Sequence, residues 1–194
     1  MELCESRVAT NAIKAGVRAP DFTLADTEGN EISSTDLSRK GPVIVVFFRG
    51  LWCWYSHANL VALEAINSEF NNKGVSIIAV SPQLHFRKAD IDRKQAISFP
   101  LLCDAYSRVA IDFKVAWRLS SQLKQTYFEL GANLDKLNGT DCDLLPVISL
   151  FIIDRQGAIV YSEVNTNYVQ LINVHEILVV LDNIASVRKK RVII

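Results

Sequence analysis

Hydrophobic and polar positions fall into blocks whose period changes along the chain. Val43-Ile44-Val45-Val46-Phe47-Phe48 is a continuous β-branched and aromatic run behind the breaker Gly41-Pro42. An unbroken apolar run of this length predicts a strand buried on both faces. A helical pattern follows, with Leu63, Ile66 and Phe70 on one stripe, Leu60 at its edge, and Glu64, Ser68, Asn71 and Asn72 away from it. Gly74 stands where a helix C-cap belongs. Val75 to Val80 is a second buried strand, closed by Ser81-Pro82. Leu84 to Ala96 is highly charged and predicted helical, anchored by Phe86, Ile91 and Ile97. Phe99 to Cys103 is a short strand. Ser107 is placed to cap a helix carrying Val109, Ala110 and Phe113.

Residues 117–145 are less regular, with a helix predicted over Ser121 to Leu130 and a polar loop at Asn138-Gly139-Thr140-Asp141. Val147 to Ile153 is a third strong strand. It turns at Asp154-Arg155-Gln156-Gly157 into a partner, Ala158 to Glu163. A closing helix carries Ile177, Leu178, Leu181 and Ile184 on one stripe. Near the start, Ala19 to Leu37 reads as a small hairpin turning at Asp26 to Asn30. The order β-α-β-α-β, then helices, a β-hairpin and a helix predicts a mixed α/β sheet with helices on both faces. One domain over residues 1–194 is expected, with about residues 1–15 as an N-terminal extension.

Composition narrows the class. The 194 residues are 49% hydrophobic and 22% charged, and 21 basic and 21 acidic side chains cancel. No basic surplus is available to hold nucleic acid or an anionic membrane. The one long like-charge run, Arg188-Lys189-Lys190-Arg191, suits a solvated helix end. No apolar run approaches the ~20 residues a membrane helix needs. The start, Met1-Glu2-Leu3-Cys4-Glu5, shows no secretory signal. A cytoplasmic protein with its four cysteines reduced is the expectation.

In doubly wound sheets chemistry gathers where strand ends hand over to helix starts. The first strong strand hands over at Arg49-Gly50-Leu51-Trp52-Cys53-Trp54-Tyr55-Ser56-His57. Cys53 falls at or just before the first turn of the helix, where unpaired amides and the positive dipole end favour a thiolate. Arg49 adds positive charge if its side chain turns inward. Against this stands the ordinary role of a free cysteine as a small buried hydrophobe. Ser56, three residues on, either donates to a Cys53 thiolate or caps the helix. It denies the site the second thiol that a two-cysteine redox pair needs. Trp52, Trp54 and Tyr55 are too closely spaced all to face inward, so at least one is expected in the core and at least one as an exposed wall of a substrate groove. His57 reads as a surface residue. His85 and His175 have no partner pattern, no spacing suggests a metal site, and no glycine-rich phosphate loop is present. No cofactor is expected.

Ala19-Pro20-Asp21-Phe22-Thr23-Leu24 and the stretch from Gly41-Pro42-Val43 to Phe48-Arg49-Gly50-Leu51-Trp52-Cys53 together resemble the AhpC/TSA peroxiredoxin-like branch of the thioredoxin-fold superfamily. Phe99-Pro100-Leu101-Leu102 before Asp104, Leu145-Pro146-Val147, and Phe151-Ile152-Ile153-Asp154-Arg155 before Gly157 extend the match. The resemblance runs from about Gly16 to Leu181. It implies a thioredoxin-like core with a peroxiredoxin-type N-terminal hairpin, and peroxide or disulfide chemistry at the strand-to-helix handover. It also implies a hydroperoxide or disulfide substrate, a thiol reductant such as thioredoxin or glutathione, and a homodimer.

Departures from the pattern bear on the chemistry. This branch usually reads Trp-Cys-Pro-Tyr-Cys, where Trp52-Cys53-Trp54-Tyr55-Ser56 stands here. Typical peroxiredoxins place Pro at Arg49, Thr at Cys53 and the peroxide-attacking Cys at Ser56. The strand-leading position that holds an active-site Arg in peroxiredoxins, or a cis-Pro in thioredoxins, falls on Ile148. One thiol, Cys53, remains in the attacking position, with Cys142 as a candidate resolving thiol. Cys103 is a weaker candidate, favoured as packing. Three readings follow: a single-thiol oxidoreductase using Cys53, Ser56 and Arg49, a catalytically degenerate binding scaffold, and a redox sensor.

Overall fold

The computed structural model describes residues 7–85, 88–139, 143–167 and 169–192. Nine strands are assigned in these segments: β1 Thr23–Ala25, β2 Glu31–Ser33, β3 Val43–Phe47, β4 Ser76–Ser81, β5 Leu101–Cys103, β6 Ala116–Arg118, β7 Leu144–Pro146, β8 Ser149–Ile153 and β9 Ile159–Val164. The central sheet has the order β5-β4-β3-β8-β9. β3, β4 and β5 run parallel, whereas β8 and β9 are antiparallel to their neighbours. This is the expected mixed sheet.

The unbroken apolar run explains why β3 lies at the centre. Alternate side chains feed two different cores. Val43, Val45 and Phe47 join Val80, Phe113 and Phe151 on one face. Ile44, Val46 and Phe48 join Leu60, Leu63, Phe70, Ile177 and Leu181 on the other. All five residues of β3 are buried, and burial of each such side chain is worth about 1.5–3 kcal/mol. The Phe113 ring centre lies 5.0 Å from those of Phe47 and Phe151.

The N-terminal hairpin forms as expected. β1 pairs with β2, and Asp26 Oδ1 accepts the amides of Glu28 and Asn30 inside the turn. Leu37, assigned to the hairpin from sequence, instead lies in the helix Ser34–Lys40, whose N-cap Ser33 accepts the Asp36 amide. The helix expected to carry Leu60 through Phe70 divides into Trp54–Glu64 and Asn67–Asn72, because Ile66 leaves helical geometry (φ −117°, ψ 10°). The second helix still delivers Phe70 to the same core. The charged segment is helical over Lys88–Lys94.

The strand expected over Val147 to Ile153 forms as Ser149–Ile153, and the Leu144–Pro146 stretch before it pairs with Ala116–Arg118 in a separate two-stranded sheet. Ser107 does not cap the helix Arg108–Asp112. It sits in the left-handed region (φ 54°), and its hydroxyl donates to the Leu144 carbonyl. The Asp104 carboxylate takes the capping role, accepting the amides of Val109 and Ala110. The last helix runs Val174–Val192. It includes Arg188 to Arg191, whose side chains lie outside the described residues.

Candidate active site

The end of β3 is tied down before the cysteine is reached. The Phe48 amide still donates to Val80 of the neighbouring strand. The Arg49 amide donates to Ser56 Oγ at 3.2 Å. Ser56 is fully buried, and its hydroxyl thus links the first turn of the following helix back to the strand end. It is not the helix cap. Gly50 adopts φ +138°, and a Cβ there would lie 2.6 Å from Trp52 Cδ1 and 2.7 Å from Gln83 Oε1. Only glycine fits beneath the indole at this turn. The turn closes where the Cys53 amide donates to the Gly50 carbonyl at 3.1 Å.

Cys53 is the N-cap residue of the helix Trp54–Glu64, in extended geometry (φ −89°, ψ 114°), and its side chain makes no capping hydrogen bond. The first intrahelical bond runs from the His57 amide to the Cys53 carbonyl. The thiol therefore stands where a Ser or Asp cap would accept the first-turn amides. Cys53 is buried, at 8% exposure for the whole residue.

Arg49 turns inward. It is buried, and its Nη1 donates to the Tyr127 hydroxyl at 2.8 Å. Trp52 meets the same Tyr127 edge to face, with ring centres 5.5 Å apart, and packs against the core. Trp54 is 67% exposed and Tyr55 partly exposed, in the division of aromatic residues expected from their spacing. His57 is half-buried rather than on the open surface, 6.3 Å from Trp54. Burial, helped by the charge of Arg93, holds its imidazole below the usual histidine range against an opposing backbone hydrogen bond at Arg93. Trp52 Nε1 and His57 Nε2 are buried with no hydrogen-bond partner.

Cys103 is the last residue of β5, partly buried and free, as is Cys53. Burial pushes the Cys103 thiol up, reinforced by the Asp26 carboxylate. Cys142 and Cys4 lie outside the described residues. Ile148 is buried in the same apolar cluster as Leu51 and Leu60, and its carbonyl accepts the Asn165 amide. An aliphatic residue suits this buried position. Among the described residues no group of His, Cys, Asp and Glu is placed to hold a metal. A cavity of about 750 Å³ opens near Ile32, Leu37, Asn67 and Ile78, at the end of the sheet where β4 begins, and Cys53 does not line it.

Sequence reasoning missed the residues that brace this loop from outside. Gln83 Oε1 accepts the Leu51 amide at 2.7 Å, and Arg93 Nη1 donates to the Leu51 carbonyl at 2.6 Å. Gln83 follows the C-terminal end of β4, so the strand-to-helix rule applied to that strand would have found it. Tyr127 left no such signal.

The structure thus places a buried thiol at a helix start, at the end of the central strand of a mixed sheet with helices on both faces. The profile of the AhpC/TSA family matches residues 15–162, and the chain belongs to that family. A protein of Mycobacterium tuberculosis provisionally assigned to the peroxiredoxins is 27% identical over 156 residues, covering 80% of this chain and 88% of the relative. The thiol-disulfide oxidoreductase ResA of Geobacillus thermodenitrificans is 31% identical over 101 residues. That match spans 50% of this chain and 56% of the relative's length. The yeast mitochondrial 1-Cys peroxiredoxin superposes with a TM-score of 0.68 at 20% identity, covering 91% of this chain and 78% of that one. Peroxidoxin BcpB of Mycobacterium tuberculosis gives 0.65 at 18% identity, covering 89% and 98%. At these identities the structures establish the thioredoxin-like fold.

Proposed function

We propose that this protein is a single-thiol oxidoreductase that reduces hydroperoxides or disulfides through Cys53. The observation that carries the reading is the placement of Cys53 as an N-cap whose side chain makes no capping bond. Family membership and relatives named for peroxiredoxin and thiol–disulfide chemistry favour a redox role over a scaffold without chemistry.

With a hydroperoxide ROOH, the Cys53 thiolate attacks the distal oxygen and the O–O bond breaks. Sulfur is oxidised to the sulfenic acid, and the leaving alkoxide takes a proton to become ROH. A second thiol then condenses with the sulfenic acid, releasing water and forming a disulfide that a further thiol reduces. With a disulfide substrate, the thiolate enters by exchange and forms a mixed disulfide directly. Helix-start amides supply stabilising dipoles where the sulfur carries charge. Ser56 and Arg49 act here mainly through their frame: Ser56 Oγ holds the Arg49 amide, and the Arg49 side chain reaches Tyr127. Trp54 and Tyr55 form the exposed rim that meets the substrate.

The reductant is a small or protein thiol such as glutathione or thioredoxin, supplied in a reducing compartment such as the cytoplasm. Among the described residues, no helix is long and apolar enough to cross a membrane. Cys142 remains the favoured internal resolving thiol, since burial pushes the Cys103 thiol up and disfavours its thiolate. Peroxide and disulfide consumption should be followed with each reductant in turn, for the wild type and for Cys53→Ala. Turnover confined to the wild type is expected, and equal turnover by the variant would refute the assignment.

A further inference from the structure

The two residues flanking Trp52-Cys53 are gripped from one place. Leu51, two before the thiol, has both peptide groups taken by side chains: its amide donates to Gln83 Oε1 and its carbonyl accepts from Arg93 Nη1. Trp54, one after the thiol, carries the Arg93 guanidinium over its ring at 5.9 Å. Behind both grips stands Asp90, a fully buried carboxylate. Its Oδ2 accepts from Gln83 Nε2 at 3.1 Å, and its Oδ1 lies 3.9 Å from Arg93 Nη1. Gln83 is further fixed by donation to the His85 carbonyl and by its own amide bonding Ser81 Oγ.

A buried carboxylate whose partners include a charged and an amide side chain is a demanding arrangement, and removing one partner exposes the others to a desolvation penalty. Through Gln83 and Arg93 its contacts converge on the peptide that leads into Cys53. We propose that Asp90, Gln83 and Arg93 are positioning residues for Cys53, a polar clamp that fixes the Leu51–Trp54 turn so that the sulfur stays at the helix start. The proposal rests on the redox role assigned to Cys53.

Placement is what this clamp supplies to the chemistry. Misplacing a reacting group by about 1 Å can lower a rate on the order of 100-fold. Releasing Leu51 and Trp54 together is therefore expected to slow Cys53 without touching the sulfur. Arg93→Met removes both outer grips from a partly exposed position, and Asp90→Asn loosens the anchor behind them.

Three readouts are taken on the full chain: sulfenic acid formation at Cys53 with hydrogen peroxide, alkylation of Cys103 by iodoacetamide, and amide hydrogen exchange at Leu51 and Cys53. For Arg93→Met the peroxide rate is expected to fall about tenfold or more. Exchange at Leu51 should accelerate, while Cys103 alkylation, which reports general loosening, stays unchanged. An unchanged peroxide rate in a folded Arg93→Met variant overturns the clamp. A change that affects Cys53 and Cys103 alike also overturns it, since that is ordinary destabilisation. If Asp90→Asn fails to fold, Arg93→Met alone decides. Should wild-type Cys53 fail to react with peroxide or disulfide, the redox reading fails. Faster Leu51 exchange in Arg93→Met then still shows that the clamp holds the turn, and unchanged exchange removes it.

Discussion

Two helices begin at the same end of the central sheet and start in opposite ways. After β5, the helix Arg108–Asp112 has its first amides taken by a buried carboxylate, Asp104, which accepts from both Val109 and Ala110 at 3.0 Å. After β3, the helix Trp54–Glu64 begins at Cys53, whose side chain accepts nothing. One start is closed by a side chain suited to structure, and the other is left open at the thiol that the proposed function makes the nucleophile. On that reading one sheet separates stability from chemistry, with the good cap placed where nothing has to react.

The first way to break this contrast is to close the open start. Cys53→Ser supplies a hydroxyl cap, so peroxide and disulfide turnover should fall to background. Unfolding stability should hold or rise by about 0.5–1 kcal/mol. Parallel turnover assays and urea melts check both halves, and a large loss of stability would show that the thiol is core packing. Gly50→Ala attacks the turn before the open start. The added Cβ meets Trp52 and Gln83 at φ +138°, so a loss of about 2–4 kcal/mol is expected in the same melts, with slower Cys53 chemistry.

Opening the closed start should do the reverse. Asp104→Ala strips two amides of their acceptor and should lower stability by about 1–2 kcal/mol, leaving the Cys53 rate unchanged. Asp104 also carries a pH signature. Burial outweighs its amide bonds and raises its carboxyl above the ordinary aspartate value, so the folded state holds this proton more tightly than the unfolded state does. Wild-type stability relative to Asp104→Asn should therefore decline as pH rises from near 4 through the raised value. The smallest expected effect is at His57, whose depressed imidazole contributes stability above pH 6.5 that is lost as pH falls through its folded value. Acid titrations of His57→Gln should show a shallower loss than the wild type.

Much of this was legible in the sequence because the decisive signals were local. The apolar runs at Val43 and Val75 gave the parallel strands, and Asp154 to Gly157 gave the β8–β9 turn. The position of Cys53 followed from where β3 had to end. What the sequence did not reveal depends on distance along the chain. Leu51 is 32 residues from Gln83 and 42 from Arg93, and Arg49 is 78 from Tyr127, so no periodicity links them. Ser107 was a plausible cap by residue type, but Asp104 reaches the amides first from the strand end. The β6–β7 pair escaped because two three-residue strands carry no period of their own.

The central claim is that Cys53 is the sulfur that reacts. A brief stoichiometric pulse of hydrogen peroxide with dimedone present, read by mass spectrometry of the full chain, tests it most directly. The dimedone adduct, or the disulfide that follows it, is expected at Cys53. An adduct on another cysteine with Cys53 unmodified would contradict it.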